Sequence, residues 1–151
     1  MKLSSESLYG LKGLLFLAQQ PAGSILPLNE IANASGLPRS FLAKIFQKFV
    51  QHGLVKSFRG ASRGYALARP PKQIKTREVL EAIEGPDVFQ RCIFWNDRCS
   101  DDNPCPLHEG WGKVRPRFVE MTERVTLAEL SQGSVRWTRL ARRRKKDVKS
   151  A

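Results

Sequence analysis

Nowhere in this sequence does an apolar run approach the roughly 18 residues that a membrane-spanning helix needs. Nor does the N-terminus show a basic stretch leading into an apolar core with a cleavage site, so the expected compartment is the cytoplasm. Cysteine is scarce and odd in number: three in 151 residues, with no export signal, which argues against a disulfide framework and for metal binding or reactive thiols. A glycine-rich nucleotide-binding loop is absent, as is a pair of carboxylates in an evident cleft. With two histidines in all, nothing points to an enzyme. Acids are the minority charge, 14 against 26 lysines and arginines. The formal net charge of +12 and a pI near 10.2 imply a polyanionic partner. The 41% of apolar residues suffices for the core of one modest domain with appendages.

What cysteine there is sits in one place. Cys92, Cys99 and Cys105 fall within 14 residues, and His108 follows the last of them. Gly85, Pro86, Asn103, Pro104 and Pro106 keep this stretch out of regular structure, which lets three sulfurs converge on one centre. Phe94 and Trp95 read either as a cover over such a centre or as plain aromatic packing. The set also matches the ligands of a structural zinc site, although a close Cys-x-x-Cys knuckle is missing. A metal-free thiol switch is a further reading, with Arg91 and Arg98 placed to lower a neighbouring thiol pKa.

Upstream, Leu8, Leu11, Leu15 and Ala18 recur at helical spacing, widened by Leu14 and Leu17, until Pro21 stops the helix. Pro27 to Ser35 reads as a short second helix, with Pro27 at an early position and Gly36 as its C-terminal turn. From Pro38 to about His52, Leu42, Ile45, Phe46, Phe49 and Val50 form an apolar face. Arg39, Ser40, Lys44, Gln47 and Lys48 form the opposite one. Two helices joined by a tight Gly36-Leu37-Pro38 turn, the second basic and hydrogen-bonding on its outer face, suit insertion into a DNA major groove. Leu54–Phe58 and Gly64–Ala68 are strand-like runs around Arg59-Gly-Ala-Ser-Arg-Gly64, a hairpin or wing that would aim Arg59 and Arg63 at a phosphate backbone or minor groove. His52, at the end of the third helix, reads as solvated or phosphate-facing.

Beyond Pro70-Pro71, Thr76 to Glu84 predicts a helix with Thr76 as its N-cap. After the cysteine loop, Trp111, Val114, Phe118, Met121, Val125 and Ala128 repeat with alternating spacings of 3 and 4, the narrow seam of helix against helix, which predicts a dimerisation helix. Pro116 must start its regular part or kink it, and Thr126-Leu-Ala-Glu129 has the form of a capping box for a short last helix. From Val135 to Ala151 eight basic residues face one acid, Asp147. This tail reads as a solvating, disordered end or as a phosphate-contacting arm.

In order, these features resemble the winged-helix iron-sulfur transcription regulators of the IscR, NsrR and RirA type. The matching stretches are Met1-Lys-Leu-Ser4, Tyr9-Gly10, Gly53-Leu-Val-Lys-Ser-Phe-Arg-Gly60 into Gly64-Tyr-Ala-Leu67, the three cysteines with His108, and Val125-Thr-Leu-Ala-Glu-Leu130. The resemblance covers Met1 to about Gln132. It implies a homodimer on double-stranded DNA, each subunit holding an iron-sulfur cluster, 2Fe-2S ahead of 4Fe-4S, through Cys92, Cys99, Cys105 and a fourth ligand. His108 stands where some members place that ligand. Others take an acid of the partner's N-terminal helix next to the tyrosine. Here that position is Leu8, and the nearest acid, Glu6, is the runner-up. Six residues separate Cys92 from Cys99, where five is the commoner family spacing.

The fold expected is therefore mainly α with a small β-wing. A winged helix-turn-helix domain would span 1–85, a cluster-binding loop 86–110, the dimerisation helix and short terminal helix 111–132, and the basic tail 133–151. The DNA contacts expected are Arg39, Ser40, Lys44 and Gln47 on the third helix and Arg59 and Arg63 in the wing. The competing class is a basic RNA-binding or assembly factor that uses the tail.

Overall fold

A computed structural model describes residues 3–94 and 98–133. Trp95 and residues 134–151 of the basic tail lie outside the described residues, so the expectations placed on them are not carried further. Three helices, α1 (Ser5–Ala18), α2 (Leu28–Ser35) and α3 (Arg39–Gln51), precede a hairpin of β1 (Val55–Phe58) and β2 (Gly64–Leu67). There follow α4 (Thr76–Glu84), the cysteine loop, α5 (His108–Arg124) and α6 (Leu127–Gly133). The architecture is mainly helical with one small antiparallel sheet, a winged helix.

The core lies between α1, α3, α4 and the hairpin. Leu42, Ile45, Phe46 and Phe49 of α3 are fully or almost fully buried, and truncating such a phenylalanine typically costs about 3–5 kcal/mol. On α1 the buried stripe is Ser7, Gly10, Gly13, Leu14 and Leu17, not the row through Leu8, Leu11 and Leu15; Leu8 is 42% exposed. The rotation follows from the glycines. A Cβ at Gly10 would lie 2.6 Å from Ile83 and 2.8 Å from Ile45 and Phe49, and one at Gly13 would lie 2.8 Å from Phe46. α1 therefore meets α3 and α4 backbone-close, along a face that hydrophobicity alone does not mark.

Gly36 ends α2 in the left-handed region at φ 69°, and the chain turns directly into α3. In the wing Val55 pairs with Leu67 and Phe58 with Gly64. Leu26 adds a bridge to Tyr65, each backbone N–H donating to the other's carbonyl at 2.9 and 2.8 Å. Gly64 is required there, because a Cβ would sit 2.3 Å from the Leu26 carbonyl oxygen. The wing is thus tied to the entry of α2 as well as to α3.

At α4 the N-cap is Lys75, not Thr76. The Thr76 hydroxyl instead donates to the Val125 carbonyl at 2.8 Å, helping to fasten the end of α5 to the start of α4. Pro27 likewise caps α2 from outside rather than lying within it. Pro116 does not start α5 but sits inside it, forgoing one backbone bond. The Thr126–Glu129 capping box forms as expected. The Glu129 carboxylate accepts from the Thr126 backbone N–H at 2.7 Å, and the Thr126 hydroxyl accepts from the Glu129 N–H at 3.4 Å. α6 packs on α1, with Leu127 fully buried in the main core.

The 3-4 seam of α5 divides in two. Trp111, Phe118 and Val125 are half-buried, and Phe118 packs on Leu80, Val88 and Phe89 of the same chain, with ring centroids of Phe118 and Phe89 6.2 Å apart. The neighbouring line, Leu107, Val114 and Met121, is 50–54% exposed and repeats every seven residues. Among the described residues no helix is long and apolar enough to cross a membrane.

Candidate functional site

Between α3 and the wing lies a cleft of about 600 Å³ whose lining includes Arg39, Gln47, Arg59 and Arg63. The sequence places these four on two separate elements; the hairpin register and the Leu26 bridge bring them to one concave surface. Ser40 and Lys44 are exposed on α3 but do not line the cleft. Among the described residues Arg39, Arg59 and Arg63 form no ion pair, so their guanidinium donors face solvent. Asn29, Gln51, Ser57 and Phe58 also line the cleft and escaped the sequence reading. The Leu26–Tyr65 bridge puts Asn29, in the first turn of α2, beside the wing.

Lys48 and His52 behave otherwise. Lys48 turns toward α1 and α4, donating to the Glu6 carboxylate at 2.8 Å and to the Ile83 carbonyl at 3.3 Å, and so leaves the outer face assigned to it. His52 is exposed, and its Nδ1 lies 2.9 Å from the Lys48 carbonyl, which can only accept; the imidazole N–H therefore closes the C-terminal end of α3.

The cysteine loop is hung from the end of α4. The Arg91 guanidinium donates to the Glu84 carbonyl at 2.7 Å and to both oxygens of Asp87 at 2.7 and 3.1 Å. The hydrogen bonds and charge of Arg91 hold the Asp87 carboxyl below its usual range. Burial pushes the Glu84 carboxyl up, but hydrogen bonds from Ser4 and Ser7 and the charge of Arg91 outweigh it and leave it low. Arg91 and Arg98 form an antiparallel bridge, and the Cys99 N–H donates to the Gln90 carbonyl at 3.1 Å. Cys92 and Cys99 each directly follow one of the two bridged arginines.

Cys92 is buried, and Cys99 and Cys105 are half-buried thiols. His108 opens α5, its N–H donating to the Cys105 carbonyl at 2.9 Å. Its Nδ1 lies 3.1 Å from the Cys99 sulfur and its Nε2 2.7 Å from Asp101 Oδ1. Asp101 was missed in the sequence. The signal was available, since a histidine used as a ligand needs a partner for its second nitrogen. Phe94 is 57% exposed and so does not cover the loop as one reading had it. Glu6, the runner-up ligand, is engaged by Lys48.

The donor set has the chemistry of an iron-sulfur site: soft thiolates and an imidazole on one irregular loop, two of them already in contact. A single zinc ion needs its donors within about 2.0–2.3 Å of one point. Among the described residues no three histidine, cysteine or acidic side chains are gathered in that way.

A family model described as "Rrf2: Iron-dependent Transcriptional regulator" matches residues 3–133. The transcriptional regulator IscR of Sodalis glossinidius is 32% identical over 130 residues, covering 86% of this chain and 78% of that protein. Among solved structures the chain is similar to CymR, described as the global cysteine regulator of B. subtilis, with a TM-score of 0.72 and 27% identity over 87% of this chain and 97% of that one. It is also similar to T. potens IscR, with a TM-score of 0.68 and 27% identity over 89% of this chain and 88% of that one.

Proposed function

The chain belongs to the Rrf2 family of transcriptional regulators, and from that premise we propose that it is a cytoplasmic homodimer that binds specific DNA sites with a strength set by an iron-sulfur cluster. It is a regulator and not an enzyme. The observation that carries the DNA reading is the convergence of Arg39, Gln47, Arg59 and Arg63 on one cleft. Gln47 and Arg39 would offer donors and acceptors to base edges, while the wing arginines would meet phosphate or a narrow minor groove. Ser40 and Lys44, outside the cleft, would position α3 on the backbone. The exposed Val114 and Met121 are the part of the seam left for a second copy of α5, and Leu107, seven residues before Val114, extends that line.

Cys92, Cys99, Cys105 and His108 would hold the cluster. Such a group, when bound, supplies a centre sensitive to iron supply, nitric oxide or redox state, and imidazole in place of one thiolate raises its potential. The residues around it do the rest. Arg91 fixes the loop to the end of α4, and Lys48 fixes the recognition helix to the same end.

Protein purified without oxygen should carry iron and acid-labile sulfide in comparable amounts and absorb visible light. Its affinity for cognate duplex should change when the cluster is removed. A colourless protein without sulfide would instead favour a second reading, a thiol-based regulator. The Cys99–His108 contact at 3.1 Å and the likeness to CymR support that reading.

A further inference from the structure

We infer that Asp101 is a positioning residue that selects Nδ1 of His108, rather than Nε2, as the nitrogen presented to the cluster. The inference rests on the cluster reading proposed above. It follows from what each atom in the chain of contacts can do. A carboxylate only accepts, so the 2.7 Å approach of Asp101 Oδ1 to Nε2 requires the ring proton on Nε2. A neutral imidazole has one such proton, which leaves a bare lone pair on Nδ1. That lone pair points at the Cys99 sulfur, 3.1 Å away.

The surroundings keep the ring in this sense. The His108 side chain is 23% exposed while that of Asp101 is fully exposed, so the Nε2 edge faces solvent and the Nδ1 edge faces the thiol. His108 is held at the start of α5 by its N–H bond to Cys105, and the turn carrying Asp101 is closed by the Asp102 N–H donating to Ser100 Oγ at 3.2 Å. A carboxylate on the second nitrogen of a ligating histidine also raises its basicity, and outer partners of this kind typically matter about 10–100-fold in metal affinity.

The test uses the full chain, loaded anaerobically and reduced, in three forms: parent, Asp101→Ala and Asp101→Asn. Each is grown with histidine carrying ¹⁵N at the δ1 or the ε2 position and examined by electron-nuclear double resonance, where a directly bonded nitrogen couples strongly. The expected result is strong coupling from the δ1 label in the parent. Asp101→Ala should mix or lose that coupling and surrender iron to a chelator about 10-fold faster or more. Asp101→Asn, whose amide oxygen still accepts from Nε2–H, should keep the δ1 coupling and most of the retention.

Strong coupling from the ε2 label in the parent overturns the inference. So does a loaded Asp101→Ala protein with the parent's couplings and chelation rate; in either case the cluster reading stands. A parent chain with no iron or sulfide overturns the cluster reading and this inference with it.

Discussion

Arg91 and Lys48 grip adjacent carbonyls at the C-terminal end of α4: Arg91 Nη2 donates to Glu84 at 2.7 Å and Lys48 Nζ to Ile83 at 3.3 Å. One belongs to the cysteine loop and the other to α3, so both elements are referenced to one helix end. If that end carries the signal, Lys48→Met, which keeps the aliphatic stem and removes the donor, should bring the DNA affinities of loaded and unloaded protein closer together. Couplings of this sort are worth about 0.5–2 kcal/mol, a factor of about 2–30 in the ratio. Titrations of both forms against one duplex measure it, and an unchanged ratio would route the coupling elsewhere.

Glu6 and His108 differ in what already occupies them. The Glu6 carboxylate is committed to Lys48 at 2.8 Å, an exposed pair worth about 0–1 kcal/mol, whereas His108 is turned onto Cys99. His108→Ala should therefore lower the iron and sulfide retained during purification, and Glu6→Ala should leave both close to parent levels. The reverse order would move the fourth ligand to α1.

The helices and the wing were legible because their signals are local: apolar periodicity, Gly36 after α2, the glycines around Arg59, the Thr126–Glu129 box. The face of α1 was not, because Gly10 and Gly13 are chosen for what approaches them from α3 and α4, and a sequence does not show its neighbours. Lys48 misled for a related reason. Its place on the wheel is basic and outward, but its stem reaches the end of α4. In the cysteine loop the candidate donors were picked by residue type alone; a ligating histidine calls for a partner on its second nitrogen, but which acid supplies it emerged only when the turn placed Asp101 against His108.

The split seam of α5 changes which substitution tests dimerisation. Phe118 packs against Phe89 inside the subunit, so Phe118→Asp would disturb the fold as well as any interface. Met121→Asp and Val114→Asp alter the open line instead, at positions 52% and 54% exposed in the single chain. Burying such a charge between two helices costs several kcal/mol, roughly, unless they part. Sedimentation should show monomers with an unchanged circular dichroism spectrum; dimers of normal stability would place the interface elsewhere.

Glu84 gives stability a dependence on acid. Its carboxyl is held below the ordinary value of 4.5 against the opposing effect of burial, by hydrogen bonds from Ser4 and Ser7 and the charge of Arg91. A group whose folded pKa is depressed stabilises in full above its unfolded pKa and loses that contribution as pH falls through the lower, folded value. Charge-assisted hydrogen bonds of this kind contribute about 1.5–3 kcal/mol, several degrees in Tm for a domain of this size. Glu84→Gln should therefore melt below the parent at neutral pH, and the gap should close as pH is taken below about 4. A gap of constant size across the range would mean that the charge on Glu84 is not what its partners hold.

Reading and positioning contacts on the cleft should separate by their response to sequence and salt. A bidentate contact to a base edge discriminates by about 1–3 kcal/mol, while neutralising a phosphate strengthens binding to every duplex and steepens its loss with salt. Gln47 and Arg39 lie on α3 where it borders the cleft, and Arg59 and Arg63 lie on the wing across from it. Gln47→Ala and Arg39→Ala should relax preference at particular base pairs, with little change in the slope of affinity against salt for Gln47. Arg59→Ala and Arg63→Ala should weaken cognate duplexes most where the facing minor groove is narrow, and should lower the salt slope by about one ion each if they bind phosphate. Lys44→Ala, outside the cleft, should weaken cognate and random duplexes alike. Titrations of each variant on cognate and shuffled duplexes at several salt concentrations decide it: unchanged base preference in both α3 variants, with specificity lost in Lys44→Ala, would put recognition on the outer face of α3 and not in the cleft.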